Sequence, residues 1–275
     1  MRPVVLMVVA VSICGAQSSA SSHTAVPFHL DAGPLKLDVY ISETAPVFHV
    51  VDQISQWSEF SHRQYVRYFK ALDGGLSEDD LKVLAEHAEI RRAHGWGRGP
   101  EQAFYTPLGL DEALKAGVAH GDLTNEEAET ERRVFQYFRP RVQRMISEGG
   151  YLDGFVHELV ERQAELAAFA TETARFIGAS PAEAIPFYLI ADPDDTNMGG
   201  GYNGGKLTLE IPRKRDAYPT VLHELFHAFA ELKKDSLKAA IRPVPGLDFE
   251  TLNEGLAYAV SPPGINKVRR SRHCR

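Results

Sequence analysis

Cysteine is almost missing from this chain: Cys14 and Cys274 are the only two in 275 residues, and they stand near opposite ends. No disulfide framework, cysteine-based zinc finger or CxxC redox pair can be assembled from them, so any metal must be held by His and carboxylates. Basic charge is in short supply as well. With 30 Lys and Arg against 37 Asp and Glu the formal charge is -7, which excludes an extended nucleic-acid surface. Long apolar runs are lacking too. The run from Val4 to Ile13 is interrupted by Ser12 and is too short to span a bilayer stably, and no other stretch approaches that length, so no stable membrane span is expected.

What the chain does have is enough apolar material, 44% of its residues, for one large or two small domains. Its first residues read as a signal peptide. Met1-Arg2-Pro3 supplies a positive start, the Val4–Ile13 run follows, and small residues allow cleavage after Ala16 or Ala20. Residues 1–20 are therefore assigned to a signal, and the mature protein is expected to be exported, periplasmic or extracellular. Cys14 invites a lipoprotein reading, but Ile13 before it is too large for the usual lipobox.

The remainder divides near residue 178. Leu35, Leu37 and Val39 alternate with polar neighbours as in a strand. Thr44 with Pro46 then marks a helix start, and Val47, Val50, Val51, Ile54, Trp57 and Phe60 recur at helical spacing. Ser77–Asp80 and Thr124–Glu127 are capping signals for two more helices, and Leu152 to Ile177 carries a further helical pattern. Residues 21–177 are thus expected to be mainly helical. From 178 to 275 the pattern changes to strand Pro186–Ala191, a turn-rich stretch to Gly205, and strand Lys206–Ile211 with Leu207, Leu209 and Ile211 on one face. A helix follows, opening near Pro219, with Leu222, Leu225, Phe226 and Phe229 as its buried stripe. The fold class expected is α+β.

Within that helix stands His223-Glu224-Leu225-Phe226-His227, an HExxH pattern. Residues four apart share a helix face, so both imidazoles can address one ion while Glu224 projects beside it. The spacing alone arises by chance too often to be decisive. A catalytic zinc needs a third protein ligand and an open position. No His occurs between His227 and His273, and Ala230 and Lys233 stand where HExxHxxGxxH would need Gly and His. A carboxylate must complete the set, from Glu231, Asp235, Asp248, Glu250 or Glu254. The last lies in Thr251-Leu252-Asn253-Glu254-Gly255-Leu256-Ala257-Tyr258, whose Leu252, Leu256 and Val260 suggest a helix with an inner face.

This arrangement resembles the gluzincins, the thermolysin-like clan of zinc metallopeptidases, in which HExxH on one helix is completed by the Glu of an NExxA sequence on a later one. The matching residues are His223, Glu224 and His227 with Asn253, Glu254 and Ala257, and the likeness covers only about residues 184–262. It implies a zincin-like metal core holding Zn2+ through His223, His227 and Glu254, and a peptide or protein substrate. It further implies Glu224 as the general base that accepts a water proton and delivers it to the leaving amine, Asn253 as a support of the ligand helix, and a sheet edge along which the peptide lies antiparallel, a place Lys206–Ile211 would occupy. The downstream oxyanion-stabilising His of that clan has no match here, His273 being in a basic tail. Tyr258, one turn beyond Glu254, is the nearest phenol for that role, with Tyr202 and Tyr218 as alternatives. The expected function is an exported zinc metallopeptidase; the alternative is a catalytically inactive, zinc-stabilised binding or structural protein of the cell envelope.

Two other stretches have weaker readings. Gly200–Lys206 matches the first seven positions of a phosphate-binding loop, but Leu207 replaces the Ser or Thr that would hold magnesium and a strand follows instead of a helix, so a hairpin loop is expected. Asp192–Asn197 offers oxygen donors without the Gly and terminal Glu of an EF-hand loop, and reads as a turn.

Overall fold

The computed structural model describes residues 24–147, 152–192 and 199–261. The assigned signal peptide with Cys14, residues 193–197 of the Asp192–Asn197 turn, and the basic tail with His273 and Cys274 lie outside the described residues. In chain order the elements are β1 (Phe28–Ala32), β2 (Leu35–Tyr40), α1 (Thr44–Ile54), α2 (Gln64–Asp73), α3 (Glu78–His94), α4 (Pro100–Phe104), α5 (Leu110–His120), α6 (Asn125–Ser147), α7 (Leu152–Glu161), α8 (Gln163–Ile177), β3 (Ile185–Ala191), β4 (Gly200–Asn203), β5 (Lys206–Ile211), α9 (Tyr218–Glu231), α10 (Lys234–Ile241) and α11 (Phe249–Val260). Among the described residues the chain is α+β, with eleven helices around one small mixed sheet.

The sheet runs β1-β2-β3-β5-β4. β2, β3 and β5 are mutually parallel, and β1 and β4 close the two ends antiparallel. Because β2 precedes the helical region and β3 follows it, one sheet joins the two regions into which the sequence divides. Side chains alternate across it. Phe187, Leu189, Leu207, Leu209 and Ile211 face a core shared with α7, α8 and α9. Tyr188 and Ile190 face the opposite way, into a core built by α1 to α6. A central strand covered on both sides reads as an unbroken apolar run, which is why Ile185–Ala191 has no polar alternation.

The capping signals act as the sequence predicts. Ser77 and Asp80 satisfy each other's backbone N–H groups at the start of α3, and Thr124 and Glu127 do so before α6. Two expectations need correction. The helical spacing from Val47 does not carry the helix to Phe60: α1 stops at Ile54, Gln56 takes a positive φ of 49°, and Phe60 is exposed in the following loop. Nor is Lys206–Ile211 the edge of the sheet. Residues 200–203 are not loop but strand β4, which pairs outside β5 and makes β5 an interior strand. The glycines there hid a strand from propensity reasoning, since Gly weakens strands and normally marks turns.

The β4–β5 hairpin is pinned to the helical layer. Its Gly204 and Gly205 turn at positive φ, and the Gly204 backbone meets Gly97 so closely that a side chain on either would collide with the other's main chain. Gln102 Nε2 donates to Gly97 O and Gly204 O at 2.9 and 3.0 Å. Lys206 Nζ donates to the carbonyls of Gln102 and Tyr105 at 2.7 and 2.8 Å, and burial pulls its pKa down to about 8. The lysine of the phosphate-loop look-alike is thus engaged with backbone oxygens. Among the described residues no helix is long and apolar enough to cross a membrane.

Candidate metal centre

Helix α9 opens on Tyr218-Pro219, where the missing proline N–H costs nothing and Asp216 Oδ1 accepts the Tyr218 N–H at 2.9 Å. Val221, Leu222, Leu225, Ala228 and Phe229 bury one face under the sheet. Phe226 and Ala230 bury another against Ala257 of α11. α11 starts from an Asp248 cap whose Oδ1 accepts the Thr251 N–H at 2.7 Å. The packing of α11 on α9 sets Glu254 opposite the two imidazoles.

The resulting donor atoms form a tight triangle. His223 Nε2 and His227 Nε2 are 3.2 Å apart, and each is 3.4 Å from one oxygen of Glu254, Oε2 and Oε1 respectively. Four ligands at about 2.0–2.1 Å around a tetrahedral ion stand about 3.3–3.4 Å from one another, so these separations suit one small cation. Two neutral imidazole nitrogens at such a distance share at most one proton, and an ion between them removes the conflict. His223, His227 and Glu254 are a group that could hold a metal ion; their spacing does not by itself name which. Glu254 is the open side of the triangle, its side chain 55% exposed.

Around the triangle the sequence-expected residues fall as follows. Glu224 is buried, and it lies against the sheet edge: a Cβ on Gly200 would stand 2.7 Å from Glu224 Cγ and 2.9 Å from Leu209 Cδ1, so only glycine leaves this carboxyl room. Burial pushes its pKa up to about 7; Glu254 adds to the rise, and His223 and His62 oppose it. Tyr258 is on α11, its ring centroid 4.6 Å from that of His223 at 58°, and it is partly exposed. Asn253 is buried with its Oδ1 unpartnered, as is Nδ1 of His227. Burial lowers the His227 pKa and Asn253 opposes this only in part; an amide oxygen that accepted from Nδ1–H would leave Nε2 as the free lone pair. Tyr218 is in the core beneath the Arg162 guanidinium, and Tyr202 is on β4, packed against the core that lies under the sheet.

One group on the other face of the sheet was not visible in the sequence. Glu210 of β5 is fully buried on the face opposite Leu209. Its Oε1 accepts from His49 Nε2 at 2.8 Å and His62 Nδ1 at 2.9 Å, and its Oε2 accepts from Gln64 Nε2 at 2.8 Å. Burial would raise the Glu210 pKa, yet the hydrogen bonds from His49 and His62 outweigh it and hold the carboxyl at about 2. The only available signal was a carboxylate inside the apolar alternation of KLTLEI. Its partners come from α1, the next loop and α2, 146 to 161 residues away, a distance over which sequence spacing says nothing.

No model of a known protein family, no curated protein and no solved structure matches this chain.

Proposed function

We propose that this chain is an exported zinc metallopeptidase with a zincin-like core, holding Zn2+ through His223, His227 and Glu254. The observation that carries this reading is the 3.2–3.4 Å triangle of donors with a buried acid, Glu224, packed between it and the strand at the end of the sheet. A zinc ion bound there would polarise a carbonyl and lower the pKa of a water molecule. Glu224 takes the proton of the attacking water and returns it to the leaving amine, a double duty suited to a carboxyl whose pKa lies near neutrality. No described strand pairs with the outer side of β4, so its backbone N–H and C=O groups accept an extended peptide whatever its side chains. Tyr258, whose ring is tilted against that of His223, is the phenol assigned to the developing oxyanion. Export rests on the Met1–Ala20 segment.

Digestion of a mixed peptide library by the purified chain tests this reading. The expected result is cleavage that a chelator stops and added Zn2+ restores. A protein that uses zinc only for stability would cleave nothing and would lose melting temperature on chelation.

A further inference from the structure

The Glu210 cluster has one member that reaches solvent. His62 lies in the loop between α1 and α2, its side chain 31% exposed while Glu210 and His49 are buried. Its backbone N–H donates to Gln53 Oε1 at 2.6 Å, and its ring Nδ1 donates to Glu210 Oε1 at 2.9 Å. Glu210 already takes donors from His49 and Gln64, so it does not need His62 for satisfaction. What Glu210 does is fix the ring: Nδ1 carries its hydrogen inward, and Nε2 is turned the other way. That outer nitrogen has no partner among the described residues.

The ring sits at the beginning of the sheet edge. Gly199 O accepts the Glu210 N–H at 2.8 Å, extending the β4–β5 ladder by one residue. A Cβ on Gly199 would collide with His62 Cε1 and Nδ1, just as one on Gly200 would press on Glu224. Successive residues of an extended strand face opposite ways, so two neighbouring glycines open room for two polar side chains on the two faces of the same edge.

We infer that His62 is a substrate-binding residue of this cleft, donating from Nε2 to a carbonyl or carboxylate oxygen of the peptide on the C-terminal side of the bond to be cut. The inference rests on the peptidase reading. A chain laid antiparallel along β4 has its C-terminal residues beside Gly199 and its N-terminal residues beside Asn203. Glu224 marks the scissile bond at Gly200, and His62 stands at Gly199, one residue further along on the leaving-amine side and on the opposite face of the edge, where the side of the peptide turned away from Glu224 passes it. Burial opposes charge on the ring, but the hydrogen bond and charge of Glu210 outweigh it and raise its pKa, and with Nδ1–H held inward it is the protonated ring that donates from Nε2 to an oxygen. The acceptor is either the backbone carbonyl of a longer leaving segment or the terminal carboxylate of a short one.

Two variants separate binding from bracing. The amide of Asn overlays Nδ1, so His62→Asn keeps the bond to Glu210 and loses the outward donor; His62→Ala loses both. Blocked pentapeptides ending in a free acid or in an amide are offered to the zinc-loaded full-length chain. For His62→Asn, KM is expected to rise about tenfold or more with kcat within about twofold and the melting temperature unchanged. A rise confined to the free acid identifies the carboxylate; an equal rise with both identifies the carbonyl. Independently of turnover, the His62 Nε2 resonance in zinc-loaded Glu224→Gln is expected to shift when either peptide is added. If wild type cleaves but His62→Asn leaves KM unchanged and the resonance stays still, the inference is overturned and the peptidase reading stands. If wild type cleaves nothing yet the resonance shifts, the peptidase reading falls and His62 remains a ligand-binding residue. If neither occurs, both are overturned.

Discussion

Glu224→Gln is expected to reduce peptide hydrolysis by about a hundred- to ten-thousand-fold while metal content and KM stay near their wild-type values. The substitution changes almost nothing but proton chemistry. Gln has the length and volume of Glu, and the space held open by Gly200 accommodates either. Neutral Gln is also no harder to bury than a carboxyl that burial already pushes to a pKa of about 7. The three donors of the triangle are on other residues, so the metal stays. What is lost is the group that takes a proton from water and gives it to the departing amine. Single-turnover assays on a fluorogenic peptide, with zinc measured on the same sample, check this; full activity in the variant would remove Glu224 from the mechanism.

Asp52→Ala is expected to destabilise the fold by about 3–5 kcal/mol, because it strips the shared acceptor from a buried charge network. Arg91 is fully buried in the helical layer, with its Nε on Asp52 Oδ1 at 2.5 Å and a terminal nitrogen on Glu101. Its guanidinium lies 4.4 Å from the Trp57 ring centroid and 5.6 Å from that of Trp96. His87 is held between Asp52 Oδ1 at 3.3 Å and Glu131 at 2.9 Å. Removing Asp52 leaves two buried cations with one carboxylate each. Urea titration should show the loss as a lower midpoint.

The pH dependence follows from the directions of the shifts. Burial opposes charge on His87, but Glu131 and Asp52 outweigh it and raise its pKa from 6.5 to about 9. A raised cation stabilises fully below its ordinary value, so this contribution is complete below about pH 6.5 and is lost as pH climbs through about 9. Burial also opposes charge on Asp52, but the His87 hydrogen bond and the Arg91 charge outweigh it and lower its pKa below 3.8. A lowered acid stabilises above its ordinary value and fails as the pH falls beneath it. The gap between wild type and Asp52→Ala should therefore be widest between about pH 4 and 6.5 and shrink on the alkaline side.

Several helix starts, the pairing of the two imidazoles and the face of β5 were legible in the sequence because their rules are local. Ser77 and Thr124 cap within three residues, His223 and His227 are one turn apart, and Leu207, Leu209 and Ile211 share a face by simple alternation. Glu254 could be chosen from five carboxylates only through a motif likeness; its meeting with the imidazoles depends on how Phe226, Ala230 and Ala257 pack. The sheet edge was misplaced by one strand since four residues with two glycines carry no β signal, and pairing to β5 alone makes them a strand. His62, His49 and Gln64 carried no spacing at all. His49 is held within α1 itself, and His62 and Gln64 come to Glu210 because α1 stops at Ile54 and the backbone turns at Gln56, which propensity does not predict.

Metal binding by the full-length chain addresses the central claim most directly. After stripping with a chelator, the protein titrated with Zn2+ in a calorimeter should bind one ion per chain, and His227→Ala and Glu254→Ala should each abolish or sharply weaken that binding without unfolding the protein. Absence of stoichiometric binding in the wild type, or binding unchanged in both variants, would contradict it.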